Sequence, residues 1–277
     1  MRMHTPAEAR TSTSQSLERG LAILSSFSSG RQLIGVSELA RELALTRSTT
    51  HRYVATLAQL GYLRQDSGTR KYSLGPRVLE LGFTAINSME LRHVAAPHLQ
   101  RLCDETGHTV NMGILDDVDV VYVERCRASR SRQNEIDLDL HVGSRLPAYC
   151  TSLGKVLLAF LPDDEREEIV GRIEFDRRGP NTLTSKASLL ADLERVRATG
   201  IAVNNEELAY GLRSVAVPVL SGNGDAVAAV NLAAHRAMAS LDDLVARLGP
   251  IMQRTAAEIS AQLGYRSDRP GAALSTR

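Results

Sequence analysis

The run Ala148-Tyr149-Cys150-Thr151-Ser152-Leu153-Gly154-Lys155 places a phenol, a thiol, two hydroxyls, a glycine and a lysine directly ahead of the apolar stretch Val156 to Leu161. Three kinds of chemistry use such residues. A phosphate loop requires G-x-x-x-x-G-K-[ST]. Here Tyr149 stands where the first glycine belongs and Val156 where the magnesium-holding hydroxyl belongs, so that chemistry is excluded. A nucleophile requires an activating base. For Cys150 and Ser152 the nearest histidine in sequence is His141, and no G-x-S-x-G elbow frames the serine. An anion seat requires less: a helix start, whose free N–H groups and dipole favour a carboxylate, with small hydroxyls beside it. The plainer alternative is that Thr151 or Ser152 caps the helix while Cys150 packs. The two readings are compatible and both stay open.

A second group has a different chemistry. Arg47-Ser48-Thr49-Thr50-His51-Arg52 combines two guanidiniums with side chains short enough to let a backbone approach base edges in a DNA groove. Arg64, Arg70 and Lys71 lie a short way downstream and suit phosphates or a minor groove. Charge supports this reading. Residues 1–75 carry ten Arg/Lys against five Asp/Glu, whereas residues 76–277 carry 23 against 27. A basic first quarter on a mildly acidic body fits a polyanion partner for the former.

The elements that must position these groups follow from periodicity and punctuation. Leu17, Leu21, Ile23, Leu24 and Phe27 have helical spacing, with Ser16 as N-cap. Ser37 caps a short helix through Leu43. Ala44-Leu45 turns the chain, and Thr46 caps a longer helix to about Leu60 with Thr50, Tyr53, Val54, Leu57 and Leu60 inward. Two strands, Tyr62 to Gln65 and Arg70 to Leu74, flank a turn at Asp66 to Thr69. Helix, short helix, turn, longer helix and hairpin make a winged helix-turn-helix. Pro76 opens a connecting helix to about Met89. Beyond it, helices over 93–106, 152–161, 188–199 and 241–263 (broken at Pro250) alternate with strands over 109–115, 119–125, 136–142, 201–203, 214–220 and 226–233, and a further helix starts at Pro162. This pattern predicts an α+β domain with a largely antiparallel sheet.

The expected organisation is therefore a disordered lead (1–15), a winged helix-turn-helix domain (16–75), a linker helix (76–90), a ligand-sensing domain (91–265) and a disordered tail (266–277). No apolar run reaches the roughly 18–20 residues that a membrane helix requires, and the polar first sixteen residues lack the core of a signal peptide. Three cysteines without C-x-x-C spacing fit a reducing cytoplasm. The histidines and cysteines lack metal-ligand spacing, so neither a metal nor a cofactor is expected.

SLERGLAIL, SELARELALTRSTTHRYVATLAQLGYL and KYSLGPRVLELG, followed by LPAYCTSLGKVLLAFL, EELAYGLRSVAVPV and AVAAVNLAAH, resemble the phrases of the IclR family of bacterial transcription regulators over almost the whole chain. RLPAYCTSLGKVLLA is most similar to the branch that regulates aromatic-acid catabolism and the β-ketoadipate pathway (the PcaR, PcaU and PobR group). The resemblance implies a GAF-like C-terminal domain, homodimers or dimers of dimers on double-stranded promoter DNA, and no enzymatic activity. It also implies that a small carboxylate effector is held at Leu138, Ser152, Leu153, Asn204, Ser214, Asn231 and Ala233, with Arg213 as a candidate ion-pair partner or a holder of its own loop. Relatives that bind very small keto acids have serine at the positions of Asn231 and Ala233 and cysteine at that of Ser214. The more apolar Leu153 and Ala233 suggest an aromatic or dicarboxylic acid. The competing readings are a regulator of short keto-acid or sugar-acid catabolism, and a small-molecule-converting enzyme.

Overall fold

The computed structural model describes residues 14–28, 30–127 and 140–266. Nearly all of the expected lead and tail lies outside the described residues, as does Leu138. The chain divides into two compact units between Ser88 and Met89.

The first unit contains α1 (Gln15–Ser25), α2 (Val36–Glu42), α3 (Arg47–Gln59), the hairpin β1 (Leu63–Gln65) and β2 (Tyr72–Leu74), and α4 (Arg77–Asn87). Ile23, Ile34, Leu39, Val54, Leu63 and Tyr72 form one core, so α1, α2, α3 and the hairpin contribute the apolar face that their spacing dictates. Between α2 and α3, Ala44 takes a left-handed conformation with φ 51°, and Leu45 donates to the Ala40 carbonyl at 2.9 Å. A bridge between Ile34 and Tyr72 extends the wing. Three local expectations change. α2 starts two residues earlier, after Gly35, so Ser37 lies inside the first turn rather than capping it. Ser16 likewise lies inside α1. Leu60 closes α3 and is exposed, not inward. α4 buries none of its residues, and Leu79, Leu81 and Phe83 are exposed along it.

The second unit is built on a six-stranded antiparallel sheet in the order β5-β4-β3-β8-β7-β6. Its strands are β3 (Thr109–Asp116), β4 (Asp119–Cys126), β5 (Arg145–Pro147), β6 (Ala202–Asn205), β7 (Leu212–Leu220) and β8 (Ala226–His235). Successive strand residues face opposite sides, and each side has its own core. On one side Val110, Met112, Val215, Val217, Val230 and Leu232 meet α5 (Glu90–Thr106) and α10 (Gly249–Gln262). On the other, Val120, Tyr122, Ala216 and Ala229 meet α6 (Ser152–Ala159), α7 (Asp163–Gly171) and α8 (Lys186–Thr199). A polar residue on this second side is thus enclosed between sheet and helices.

The strand expected over 136–142 is not found among its described residues: 140–142 are not extended. A turn in which Ser144 donates to the His141 carbonyl, with Gly143 at φ 91°, diverts the chain there, and the edge strand is Arg145–Pro147. The terminal helix does not break at Pro250. α9 (Leu241–Asp243) passes through a π-helical turn, Leu244–Leu248, and Pro250 lies in the first turn of α10.

Candidate functional site

The first turn of α3 is organised by Thr46. Its hydroxyl oxygen accepts from the Thr49 N–H at 3.2 Å, and its O–H donates to the Thr49 hydroxyl oxygen at 2.8 Å. Thr50 and Val54 turn into the core. Arg47, Ser48, His51 and Arg52 are exposed and Thr49 is half-buried. The Arg52 guanidinium lies 5.8 Å from the centre of the Tyr53 ring, within the range of a cation–π contact. In the wing, Asp66 accepts from the Thr69 N–H and hydroxyl, both at 2.7 Å. This turn leaves Arg64 and Arg70 exposed, with Arg70 at φ 60°. Lys71 differs from these. Its Nζ lies 2.9 Å from Glu38 Oε1, tying the wing to α2, and this hydrogen bond holds the Glu38 carboxyl below its ordinary range.

In the second unit Thr151 is the N-cap of α6, accepting from the Gly154 N–H at 3.1 Å. Gly154 packs against the preceding 3-10 turn, Ala148–Cys150; a Cβ there would lie 2.2 Å from the Ala148 Cα. Ser152, fully buried, shares a 2.7 Å hydrogen bond with the Ser214 hydroxyl of β7. Leu153 lies over Gly113 of β3, where a Cβ would come 3.2 Å from its Cδ1. The helix start therefore lies over the middle of the sheet. Pairing extends from Ser214 in two rows. Asn204, Ser214, Ala233 and Thr109 are cross-strand partners in turn, and beside them run Ala216, Asn231, Asn111 and Arg125. Within the second row Asn111 donates to Asn231 Oδ1 at 2.8 Å, and Arg125 donates to Asn111 Oδ1 at 2.8 Å. Asn204, Ser214, Asn231 and Asn111 are all buried, and Ala233 is half-buried. Burial raises the Tyr122 phenol to about 12, against the opposing influence of Arg125 and a hydrogen bond with Asn231. Asn204 also ties loops together, donating to the Cys150 carbonyl at 2.8 Å and accepting from the Glu207 N–H at 3.0 Å.

One expected participant, Arg213, and the lysine of the run before α6 lie elsewhere. Arg213 precedes Ser214 on β7 and so faces the opposite side of the sheet. Its guanidinium donates to Asn205 Oδ1 and to the Ala239 carbonyl, each at 3.1 Å, which makes it a holder of its loop. Lys155 is buried, with Nζ 2.6 Å from Glu207 Oε1 and 3.0 Å from Asp192 Oδ2, so its ammonium joins α6 to α8 and to the segment after β6. Burial raises the Glu207 carboxyl, although Lys155 opposes it. It would also raise Asp192, but Lys155 and Arg195 hold that carboxyl below its ordinary value. An open cleft of about 370 Å³ reaches this cluster past Val203 and Leu241. Because Val203 and Asn205 face away from Asn204 on β6, the cleft is distinct from the polar rows. Cys150 is fully buried and burial pushes its thiol up to about 12, the reverse of what a nucleophilic thiolate requires. Asn111, Tyr122 and Arg125 were not anticipated, although an asparagine inside the apolar run Thr109-Val110-Asn111-Met112 is itself a signal of a buried polar contact. Among the described residues no group of His, Cys, Asp and Glu is placed to hold a metal ion, and no helix is long and apolar enough to cross a membrane.

A winged helix with a basic recognition surface, in one chain with an α+β unit that encloses a polar strip, defines a DNA-binding regulator with a ligand-sensing domain. Comparison with known proteins gives the family. Residues 16–67 match the IclR helix-turn-helix domain and residues 83–261 the bacterial transcriptional regulator IclR C-terminal domain. The Pca regulon regulatory protein of Pseudomonas putida is 36% identical over 90% of this chain and 84% of its own length. The p-hydroxybenzoate hydroxylase transcriptional activator of Acinetobacter baylyi is 33% identical over 92% of this chain and 94% of its own. A crystal structure of an IclR homologue from Microbacterium hydrocarbonoxydans, complexed with 4-hydroxybenzoate, is 26% identical with a TM-score of 0.76, covering 90% of this chain and 99% of that one. The chain belongs to the IclR family; it is a transcriptional regulator and not an enzyme.

Proposed function

We propose that this regulator controls genes of aromatic-acid catabolism and senses a small carboxylate, an aromatic acid or a β-ketoadipate-like diacid, on the polar strip beneath the start of α6. The observation that carries the reading is the enclosed strip itself. Ser152, Ser214, Asn231 and Asn111 bring hydroxyls and carboxamides into an interface that packs against a largely apolar core. Such groups are costly to bury without partners, and an acid adds acceptors to them. The Ser152 and Leu153 N–H groups, in the first turn of α6, have no intrahelical acceptor and carry the positive end of the helix dipole. Leu153 and Ala233 supply an apolar wall suited to a ring or a methylene chain. The Pseudomonas and Acinetobacter relatives and the 4-hydroxybenzoate complex support the same ligand class.

On the DNA side, Arg47, Ser48, Thr49, His51 and Arg52 enter the major groove, and Arg64 and Arg70 meet the backbone of double-stranded promoter DNA. Lys71 joins them by exchanging Glu38 for phosphate. The protein works as a homodimer or a dimer of dimers. Leu17 and Leu21 on α1 and Leu79, Leu81 and Phe83 on α4 expose apolar surface of the kind that marks an interface. A dimer presents two recognition helices to half-sites about 34 Å apart or a multiple of that distance. Thermal-shift titration of the full chain against benzoate, 4-hydroxybenzoate, protocatechuate, adipate, β-ketoadipate and glyoxylate tests the ligand class. Stabilisation by an aromatic or dicarboxylic acid and none by glyoxylate is expected. Stabilisation by glyoxylate alone contradicts it.

A further inference from the structure

We infer that Tyr122 contacts the effector directly, its hydroxyl donating to the effector's carboxylate across from the start of α6. The inference rests on the reading of the polar strip as the effector seat, and it names the donor that the strip's hydrogen-bond polarity turns toward that seat.

A guanidinium donates hydrogen bonds and cannot accept them. The bond from Arg125 therefore fixes how the Asn111 carboxamide is turned. Its Oδ1 takes the guanidinium at 2.8 Å, and its Nδ2 donates to Asn231 Oδ1, also at 2.8 Å. With its oxygen occupied in this way, Asn231 offers its amino group to the Tyr122 phenol, to which it is hydrogen-bonded. Every link points in one direction, from a charge that polarises the chain to a phenol oxygen that accepts. The Tyr122 O–H is the proton left at the end. Among the described residues no side chain or carbonyl is paired with it, and Tyr122 is nearly fully buried, where an unmet donor is costly. Its position suits a ligand contact. Tyr122 stands opposite Gly113, the glycine under Leu153, and its hydroxyl reaches Asn231 on β8. Ala233, two residues on from Asn231, pairs with Ser214, so Asn231 and Ser214 are diagonal neighbours about 7–8 Å apart. A carboxylate with one hydrogen bond on each side spans such a gap. On the Ser214 side, the bond between Ser152 and Ser214 uses one hydroxyl proton and leaves the other, and the first-turn N–H groups of α6 also donate. Donors thus face each other across the seat, and the ligand group that only accepts is an ionised carboxylate. Burial raises the phenol to about 12, so Tyr122 keeps its proton at neutral pH.

The test uses the full chain, the acid of the panel above that binds it most tightly, and the neutral amide of that acid. Tyr122→Phe keeps the ring and removes the donor. The acid's affinity should fall about ten- to hundredfold, the range of a hydrogen bond to a charged group, and the amide's by a smaller factor, so that the preference for the acid shrinks. An unchanged acid affinity, or an equal loss for acid and amide, overturns the assignment while leaving the effector seat standing. If no acid of the panel binds wild-type protein, the effector reading fails and this one with it. Asn111→Asp tests the polarity. Its carboxylate still accepts from Arg125 but cannot donate, so the Asn231 amino group turns toward it and the Asn231 oxygen turns toward Tyr122. The Tyr122 proton then goes to Asn231 instead of the acid. Asn111→Asp should lower acid affinity about tenfold or more when Tyr122 is present and by less than about threefold in Tyr122→Phe, the non-additivity of residues in one network. An equal loss in both backgrounds overturns the assignment. Should Tyr122→Phe fail to fold, an acid affinity unchanged by Asn111→Asp alone overturns it as well.

Discussion

At the scale of single residues, Lys155 has the most to lose. Its ammonium is nearly fully buried and meets Glu207 at 2.6 Å and Asp192 at 3.0 Å, each carboxylate drawn from a different element. Removing one member of a buried charge cluster leaves the others uncompensated, a loss of about 3–5 kcal/mol in comparable cases. Lys155→Met should therefore destabilise the second unit by that order in urea denaturation, more than a methionine of similar reach would predict from lost packing. A change below about 1 kcal/mol would mean that the cluster is hydrated in solution. The lysine's place beside Gly154 makes it look like part of a phosphate loop, and its burial shows that it is a structural tie instead. Ser152 and its neighbour Leu153, earlier on α6, face the strip, where changes in side-chain size and polarity would act on ligand choice under the proposed reading.

At the scale of elements, α6 is located by contacts that tolerate little. Thr151 caps it, Gly154 lets it rest on the Ala148–Cys150 turn, and Gly113 leaves room on β3 for Leu153. A methyl group at position 154 would meet backbone, which cannot move aside as a side chain can. Gly154→Ala should lower stability by roughly 1–3 kcal/mol, the usual range for overpacking, and should weaken acid binding along with it because Ser152 shifts off Ser214. Unchanged melting temperature and acid affinity would show that the contact relaxes freely. Much of this architecture was legible in the chain: helical spacing and caps mark α3 and α6, and alternation marks β3, β4, β7 and β8. What was not legible depended on pairing between distant strands. The partnership of Arg213 with Asn205 is decided by the β6–β7 register, and that of Arg125 with Asn111 by the β3–β4 register; neither can be counted along one strand. Over its described residues the strand expected near residue 140 gives way to the turn from His141 to Ser144, and the edge strand that follows, β5, is only three residues long.

At the scale of the molecule, the chain joins a basic winged-helix unit to a second compact unit of the IclR C-terminal type, for which acid sensing is proposed. A regulator of this kind acts through a coupling free energy. Whatever factor the acid applies to operator affinity, the operator applies to acid affinity. The exposed apolar residues of α1 and α4 are the surface on which the proposed self-association would turn one winged helix into a two-site reader. The most direct measurement is a titration of DNA from the gene's own upstream region with the full chain, followed by fluorescence anisotropy across a salt series, with and without the best-binding aromatic or dicarboxylic acid. Two results are predicted. Affinity should fall steeply with salt, as phosphate contacts require, and saturating acid should shift the dissociation constant by about fivefold or more, the lower end of typical coupling. Salt-dependent binding whose affinity is the same with and without every acid of the panel would contradict the account of an acid-responsive regulator.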